Sequence, residues 1–211
     1  GNAVAKSIFH AVLTPSGLCF DPDGNLYVCD TGNTGKELDP EIFGRPGILR
    51  IRFQHIDVYA ANSDKGDVAF LSERHAPSAI FYSKADDALY WTTSDAQGAA
   101  GGAIYRMERK QFPEQSMKNN AVGDQGALLG VAITPHGTMI ASRLDGDLTM
   151  ISPHVLDTVP FYESASFATP GDIKIHTLQN GNNILYVPEQ EPNSLEKWKQ
   201  RIRVILLPLS M

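Results

Sequence analysis

Polar side chains that could bind a ligand or take part in hydrolysis recur at the ends of short apolar runs. Two kinds of position repeat: the residue that opens the first run of a pair, and the residue that closes the second. The opening residues are Ser16, Ser78, Leu129 and Gly171, with Asp172 beside the last of them. The closing residues are Asp30, Asp95, Arg143 and Glu189. Carboxylates suit a hard divalent cation and arginine can clamp a carboxylate, so together these positions would form a polar, mostly acidic pocket.

The stretch Pro15 to Asn33 indicates which element would position the first of these residues. Two apolar runs, Leu18 to Phe20 and Leu26 to Val28, flank the segment Asp21 to Asn25. The proline in that segment presets φ, and its glycine and asparagine supply positive φ, so the pattern predicts a β-hairpin. The segment is acidic, but it lacks the twelve-residue span and distal glutamate of an EF-hand. We therefore interpret it as a structural turn.

The hairpin pattern recurs three more times, and each copy is followed by a third apolar run. The copies are spaced by roughly 45 to 65 residues, close to the ~40 to 50 residues of a propeller blade. The repeats cover roughly residues 14–60, 75–110, 127–155 and 168–208 of one domain, 1–211. We therefore predict an all-β fold, a β-propeller with four visible four-stranded repeats. A β-sandwich, which also contains short strands separated by turns, is the alternative.

Four repeats leave the number of blades open. The chain could close as a ring of four or five blades, or it could be part of a six-bladed propeller whose remaining blades lie outside the sequence; we favour the second. An unclosed ring would expose apolar strand edges that pair readily with another chain. We therefore expect a homo-oligomer, or missing blades, to complete the propeller.

Composition restricts the classes of partner. The 211 residues are 42% hydrophobic and carry a formal net charge of −6. No apolar run approaches the ~18 residues that span a bilayer, and no basic stripe indicates nucleic-acid binding, so we expect a small-molecule ligand. The chain is predicted to be soluble, and both a secreted and a cytoplasmic location stay open. Cys19 and Cys29 are expected to be buried thiols, with a disulfide as the alternative.

The stretch Pro-Ser-Gly-Leu-Cys-Phe-Asp-Pro-Asp-Gly-Asn-Leu-Tyr-Val-Cys-Asp-Thr-Gly, from Pro15 to Gly32, also carries a family likeness. It resembles the repeat shared by NHL-repeat, senescence-marker/gluconolactonase-like and strictosidine-synthase-like proteins, whose propellers are usually six-bladed. Its second half is similar to the yellow/major royal jelly group. The resemblance to gluconolactonases implies a divalent cation, most readily calcium, that polarises a lactone carbonyl. The family's ligand position corresponds to Ser16, Ser78, Leu129 and Gly171, none of which is a strong ligand for a hard cation. Asp172, Asp30 or Glu189 could substitute, or the absent blades could hold the ligands.

The leading functional prediction is a small-molecule hydrolase of lactonase type that acts at the mouth of the propeller channel. In this reading Asp30 and Glu189 are catalytic and Asp172 binds the metal. The predicted substrate-binding residues are Ser16, Ser78, Asp95 and Arg143. The alternatives are a non-catalytic NHL-like propeller that binds a ligand or protein, and a metal-free enzyme like strictosidine synthase. For single residues, Asp30 could instead cap a loop, Glu189 could lie in a solvated acidic loop and Arg143 could form a surface ion pair.

Overall fold

The computed structural model describes ten stretches of the chain. These are residues 14–32, 46–53, 66–70, 76–93, 102–113, 120–122, 126–151, 158–162, 170–191 and 199–207. The predicted site residue Asp95 and the β-prone run Ile56 to Ala60 lie outside them.

Fifteen β-strands form four antiparallel sheets in these stretches, which we call blades 1 to 4. Blade 1 contains β1 (Pro15–Phe20), β2 (Leu26–Asp30), β3 (Gly47–Ile51) and β4 (Gly66–Phe70). Blade 2 contains β5 (Pro77–Ser83), β6 (Ala88–Thr93), β7 (Ile104–Glu108) and β8 (Asn120–Val122). Blade 3 contains β9 (Leu128–Ile133), β10 (Met139–Arg143), β11 (Leu148–Ile151) and β12 (Thr158–Tyr162). Blade 4 contains β13 (Lys174–Thr177), β14 (Asn183–Glu191) and β15 (Lys199–Leu207).

Within each blade, every strand pairs only with its neighbours in sequence. The prediction of four-stranded repeats is confirmed for blades 1 to 3, whereas blade 4 has three strands in the described part of the chain. Blade 1 also extends to Phe70, past the predicted end at residue 60, because its fourth strand is β4.

The apolar core is divided into seams between consecutive blades. The first seam packs Tyr27, Cys29 and Ile48 of blade 1 with Leu89 and Trp91 of blade 2. The second packs Tyr90 and Ile104 of blade 2 with Val131 and Met139 of blade 3. The third packs Ile140 and Leu148 of blade 3 with Ile173 and Leu185 of blade 4. Four sheets in succession with three separate seams are the arrangement of propeller blades, and the β-sandwich alternative is wrong.

The turn of the first hairpin is structural, as predicted. Oδ1 of Asp21 accepts hydrogen bonds from the backbone N–H groups of Asp23 (3.0 Å) and Asn25 (2.9 Å). Its Oδ2 accepts a hydrogen bond from the Tyr27 hydroxyl at 3.2 Å. Gly24 has φ +79°, a left-handed conformation that glycine adopts without strain. The acidic side chain that looked like a calcium ligand therefore holds the turn together.

A short 3-10 helix at Arg109–Gln111 lies beside the hairpin turns, at the end of the blades away from the opening residues. Arg109 pairs with Asp23 of blade 1 and, at 2.7 Å, with Asp87 of blade 2. It thus joins the turns of two blades. The described residues contain no helix long and apolar enough to cross a membrane.

Both cysteines are free thiols, so the disulfide alternative is wrong. Cys29 is buried as predicted, whereas Cys19 is half-buried. The β1–β2 register places Cys19 opposite Tyr27 and Cys29 opposite Gly17, so the two thiols do not face each other across the ladder. Burial raises the pKa of Cys19 to about 12 and the pKa of Cys29 well above its ordinary value. Both therefore stay protonated and serve as small apolar side chains.

Candidate functional site

A β-bulge near the start of the first strand recurs in blades 1 to 3. In blade 1, Pro15 pairs with Asp30 and Gly17 pairs with Cys29, which leaves Ser16 outside the ladder. The same interruption occurs in the β5–β6 and β9–β10 pairs. The residues left unpaired there are Ser78 and Leu129. A bulge residue does not pair with the neighbouring strand, and its side chain is turned out of the ladder. Each of these three blades therefore directs one side chain away from its ladder at the end where its first strand begins.

Blade 4 repeats this geometry without a full strand. Pro170 forms an isolated bridge with Glu189, and the N–H of Gly171 donates to the carbonyl of Pro188 at 2.7 Å. Gly171 therefore stands at the position of the bulge residues. The four predicted opening residues are thus structurally equivalent.

The closing residues are equivalent in three blades out of four. Asp30, Arg143 and Glu189 each pair with the first residue of the bulged strand or its equivalent. In blade 2 that partner is Thr93, which pairs with Pro77. Sequence reasoning placed the closing position two residues too late, because the Asp in Thr-Thr-Ser-Asp looked like the counterpart of Asp30.

The bulge positions open into one pocket of about 940 Å³. It is lined by six residues that the sequence singled out: Ser16, Ser78, Leu129, Gly171, Asp172 and Glu189. It is also lined by five that the sequence did not: Pro170, Pro188, Gln190, Arg201 and Ile202. The opening residues therefore converge on one pocket, as the repeats predicted. Blade 4 contributes most of the residues that line it.

Asp30 and Arg143 do not contribute to the lining of this pocket. Oδ1 of Asp30 accepts hydrogen bonds from the backbone N–H groups of Thr14 and Gly32, each at 2.9 Å, so this carboxylate caps a loop. Arg143 pairs with Asp145 at 2.8 Å in the turn that follows its strand. Asp30 therefore caps a loop and Arg143 forms an ion pair, which are the alternative roles that the sequence left open for them.

Hydroxyl groups link each blade to the next at this mouth. Ser16 donates to the carbonyl of Pro77, Ser78 to that of Leu128, and Ser142 to that of Gly171, each at 2.8 Å. These bonds run from blade 1 to 2, 2 to 3 and 3 to 4. Since their protons are used in this way, Ser16 and Ser78 can meet a ligand only as acceptors. Ser142 was not predicted from the sequence, although its position directly before a closing residue could have indicated that it lies at the mouth.

Glu189 is buried in the wall of the pocket, and its side chain has no exposed surface. Its Oε2 accepts a hydrogen bond from Nε of Arg201, its cross-strand partner, and its Oε1 lies 2.6 Å from Nε of Arg203 in an ion pair. Burial of a carboxylate is costly unless it is paired, and two arginines offset that cost here. The alternative of a solvated acidic loop is therefore wrong for Glu189.

Asp172 is the second carboxylate in the pocket. Its Oδ2 pairs with Nζ of Lys174 at 2.7 Å, whereas its buried Oδ1 has no hydrogen-bond partner among the described residues. Burial raises the pKa of Asp172 from 3.8 to about 6, against the opposing effect of Lys174. A half-buried carboxylate that lines a pocket and has a pKa of about 6 is equipped to exchange a proton near neutral pH.

Lys174 pairs with this carboxylate and also contacts two other blades. Its Nζ donates to the carbonyls of Leu18 in β1 (3.2 Å) and Ile80 in β5 (3.3 Å). Both are first strands with one unpaired edge, so the ammonium group satisfies carbonyls that no strand pairs with. Lys174 therefore ties three blades together and fixes one side of Asp172.

The ladder registers show how unusual these two residues are. Asp172 occupies the position of Gly17, Ala79 and Gly130 in the other blades. Lys174 occupies the position of Cys19, Phe81 and Ala132. Blade 4 thus has an acid and a base where the other repeats have small or apolar residues. That departure was the sequence signal for Lys174, which sequence reasoning missed.

The charge at the mouth differs from the mostly acidic pocket predicted from sequence. Two carboxylates, Asp172 and Glu189, lie among three basic groups, Lys174, Arg201 and Arg203. Sequence reasoning missed both arginines because their contact with Glu189 depends on the β14–β15 register. Their signal was the alternation of basic and apolar residues from Arg201 to Val204, which places both on one face of a strand.

These residues are a poor fit to a calcium ion. Calcium takes six to eight oxygen ligands. Here both carboxylates are engaged with basic side chains, and the serine hydroxyls donate to carbonyls. In the described stretches, no group of three His, Cys, Asp or Glu residues could hold a metal ion. The calcium requirement stays a prediction that this arrangement does not support.

Comparison with known proteins agrees with this architecture. Residues 13–33, which include the first hairpin, match the NHL repeat. A catalytically inactive virginiamycin B lyase from Staphylococcus aureus, solved with quinupristin, superposes over 92% of this chain with TM-score 0.50 at 12% identity. A protein assigned as a glucose dehydrogenase from Thermus thermophilus does so over 94% with TM-score 0.54 at 13% identity. The chain has the β-propeller fold.

The chain covers only part of the length of these solved structures. It spans 56% of the length of the lyase and 63% of that of the Thermus protein. For a protein of unknown function from Bacteroides thetaiotaomicron the share is 43%, at TM-score 0.53, 10% identity and 88% of this chain. No curated protein sequence matches the chain significantly.

Proposed function

We propose that the pocket hydrolyses a lactone or related ester of a small molecule, with Asp172 as the proton acceptor. The observation that carries this proposal is Asp172, a carboxylate that lines the pocket, has a raised pKa and has an Oδ1 without a hydrogen-bond partner among the described residues. Two structural neighbours, a virginiamycin B lyase and an assigned glucose dehydrogenase, bear names of enzymes that act on small molecules. They support an enzymatic use of this fold. The type of reaction is inferred from the residues of the site.

The reaction begins with a water molecule between the carboxylate of Asp172 and the carbonyl carbon. The water oxygen forms a bond to that carbon while one of its protons passes to Asp172. The bond between the carbonyl carbon and the ring oxygen then breaks, and Asp172 returns the proton to the alkoxide that leaves. A lactone and water thus give a hydroxy acid, with Asp172 regenerated. Lys174 pairs with Oδ2 and so fixes the orientation of the carboxylate.

A hydrolysis assay with the Asp172→Asn variant tests this proposal. We expect the wild-type chain to hydrolyse five- or six-membered lactones or aryl esters, and the variant to lose about 10²- to 10⁴-fold in kcat. Asp145→Asn, which changes an exposed carboxylate in a turn of blade 3, is the control and should retain activity. Hydrolysis that survives in Asp172→Asn, or no hydrolysis by any variant, would contradict the proposal. Added calcium or a chelator should leave the rate unchanged, whereas dependence on calcium would favour the metal-based alternative.

Ligand binding without catalysis is the second candidate function. The observation that favours it is that the Ser16 and Ser78 protons and both Glu189 oxygens are already engaged within the protein. A pocket with so many satisfied polar groups can hold a ligand through its shape and apolar lining. Saturable binding of a lactone that is recovered unchanged would support this candidate.

A further inference from the structure

The ammonium group of Lys174 lies where three blades meet. Its Nζ is 2.7 Å from Oδ2 of Asp172 in blade 4. It is also 3.2 Å from the carbonyl oxygen of Leu18 in blade 1 and 3.3 Å from that of Ile80 in blade 2. A lysine ammonium has three N–H donors and no acceptor, so these three oxygens use all of its donors. One carboxylate and two backbone carbonyls thus converge on a single positive charge.

Oxygen atoms of these kinds are also the ones that a hard metal ion binds. Carboxylates and backbone carbonyls are the usual protein ligands of calcium. The resemblance to gluconolactonases implies such a cation in the propeller, and Asp172 is the residue predicted to bind it. In the structure, Asp172 pairs instead with an ammonium group of its own chain. The positive charge that the resemblance implies is therefore present, but a side chain supplies it.

The other blades have no equivalent of this lysine. The ladder registers place Cys19, Phe81 and Ala132 at its position. The repeat itself therefore does not require a positive charge there, and the charge is a particular feature of blade 4. The Lys174 side chain is 42% exposed, so a small cation could reach the three oxygens from solvent if this side chain were removed.

We propose that the ammonium group of Lys174 is a built-in replacement for a metal ion, a cation tethered to the chain that binds oxygens of blades 1, 2 and 4. Because this cation belongs to the chain, neither a chelator nor a low calcium concentration can remove it. The inference does not depend on hydrolysis of any substrate, and it therefore goes beyond the proposed function.

Chemical rescue of the Lys174→Ala variant tests this assignment. The truncation removes the equivalent of n-propylammonium, which is the first probe, and calcium is the second. We expect the variant to lose about 5 °C or more in its thermal unfolding temperature, and to regain at least half of that loss as either cation saturates the vacated position. The neutral analogue 1-propanol should restore nothing. Tetramethylammonium chloride, whose cation has no N–H donor, keeps the ionic strength constant.

Two control variants separate the effect of the cation from a loss of packing. Lys174→Met keeps the bulk of the side chain without its charge, so it leaves no space and neither cation should stabilise it. Lys110→Ala removes an exposed lysine that pairs with Glu108 at 2.9 Å, and it should neither lose stability nor respond to the cations. If Lys174→Ala is unfolded without added cation, its refolding on addition of either cation, followed by circular dichroism, gives the same information.

Three results would overturn the proposal. The first is an unchanged unfolding temperature in Lys174→Ala. The second is a loss that neither cation reverses, whether the variant is folded or unfolded. The third is equal stabilisation of the variant and the wild-type chain by the added cations.

This proposal and the hydrolase fail in different ways. Cation-dependent rescue of Lys174→Ala, in a chain that hydrolyses no lactone, would leave this inference standing and refute the hydrolase. Hydrolysis that depends on Asp172, together with a Lys174→Ala variant that no cation restores, would refute the tethered cation alone.

Discussion

The position of Asp172 carries a cost for folding, because the protein partly desolvates its carboxylate. Its carboxylate is largely removed from water, and one of its oxygens has no partner among the described residues. At the same position in other blades the chain has Gly17, Ala79 or Gly130, which carry no such cost. A residue that is unfavourable for folding and faces a pocket is typical of a site used for chemistry.

Replacement of Asp172 by asparagine should therefore stabilise the protein at neutral pH. The pKa of Asp172 is raised from 3.8 to about 6 in the folded state, so protonation stabilises the fold, and this contribution is lost as the pH rises through about 6. We expect Asp172→Asn to gain up to about 3 kcal/mol of unfolding free energy at pH 7 and little at pH ~4. Urea unfolding at both pH values measures this gain, with Asp145→Asn as control. An equal gain at both pH values would show that the charge is not its cause.

The first strands are the elements that bring the site together. They contact one another from blade to blade, and a small residue after each bulge allows the approach. A Cβ atom on Gly17 would lie 2.8 Å from Cα of Ala79, and one on Gly130 would lie 2.7 Å from the backbone nitrogen of Ile173. Backbone atoms cannot move aside as a flexible side chain can, so blade spacing depends on these glycines.

Gly130→Ala should destabilise the fold by about 1 to 3 kcal/mol, because its Cβ would force blades 3 and 4 apart. Gly171→Ala is a matched control in the adjoining blade, since its Cβ would lie 3.3 Å from a side-chain carbon of Pro188 and no closer than 3.8 Å to a backbone atom. Thermal unfolding of both variants measures the difference. A loss of stability as large in Gly171→Ala as in Gly130→Ala would contradict the role given to blade spacing.

Local sequence patterns predicted the strands and turns because short apolar runs and turn residues act within a few positions. The hairpin around Asp21 to Asn25 and the equivalence of Ser16, Ser78, Leu129 and Gly171 follow from such patterns. The environment of Glu189 could not be predicted in this way, because its charge is offset by residues on another strand. Lys174 was missed for the same reason, since its carbonyl partners lie in blades 1 and 2.

At the scale of the whole molecule, the seams bury the third strand of each blade except the last. Ile48, Ile104 and Leu148 occupy equivalent ladder positions in blades 1 to 3 and are at most 1% exposed. Their counterpart in blade 4, Ile202, is 66% exposed. Val204 and Leu206 extend this surface along the same face of β15. The homo-oligomer or further blades expected from the sequence would cover this face.

We expect the chain alone to self-associate through this face, and Val204→Lys to reduce the association because it places a charge in the apolar surface. Sedimentation velocity over a range of protein concentrations measures the effect. Leu144→Lys, at an exposed position in the turn after β10, is the control and should associate like the wild type. A wild-type chain that is monomeric at all concentrations, or association unchanged by Val204→Lys, would contradict this expectation.

The bulges also make the pocket open to change during evolution and in the laboratory. A bulge residue takes part in neither the pairing of its ladder nor the core of a seam, so its identity can vary while the blade keeps its register. Ser16, Ser78, Leu129 and Gly171 already differ in size and polarity at equivalent positions. A new functional group could therefore be introduced at Leu129 without redesign of the blade, and binding preferences could be altered one blade at a time.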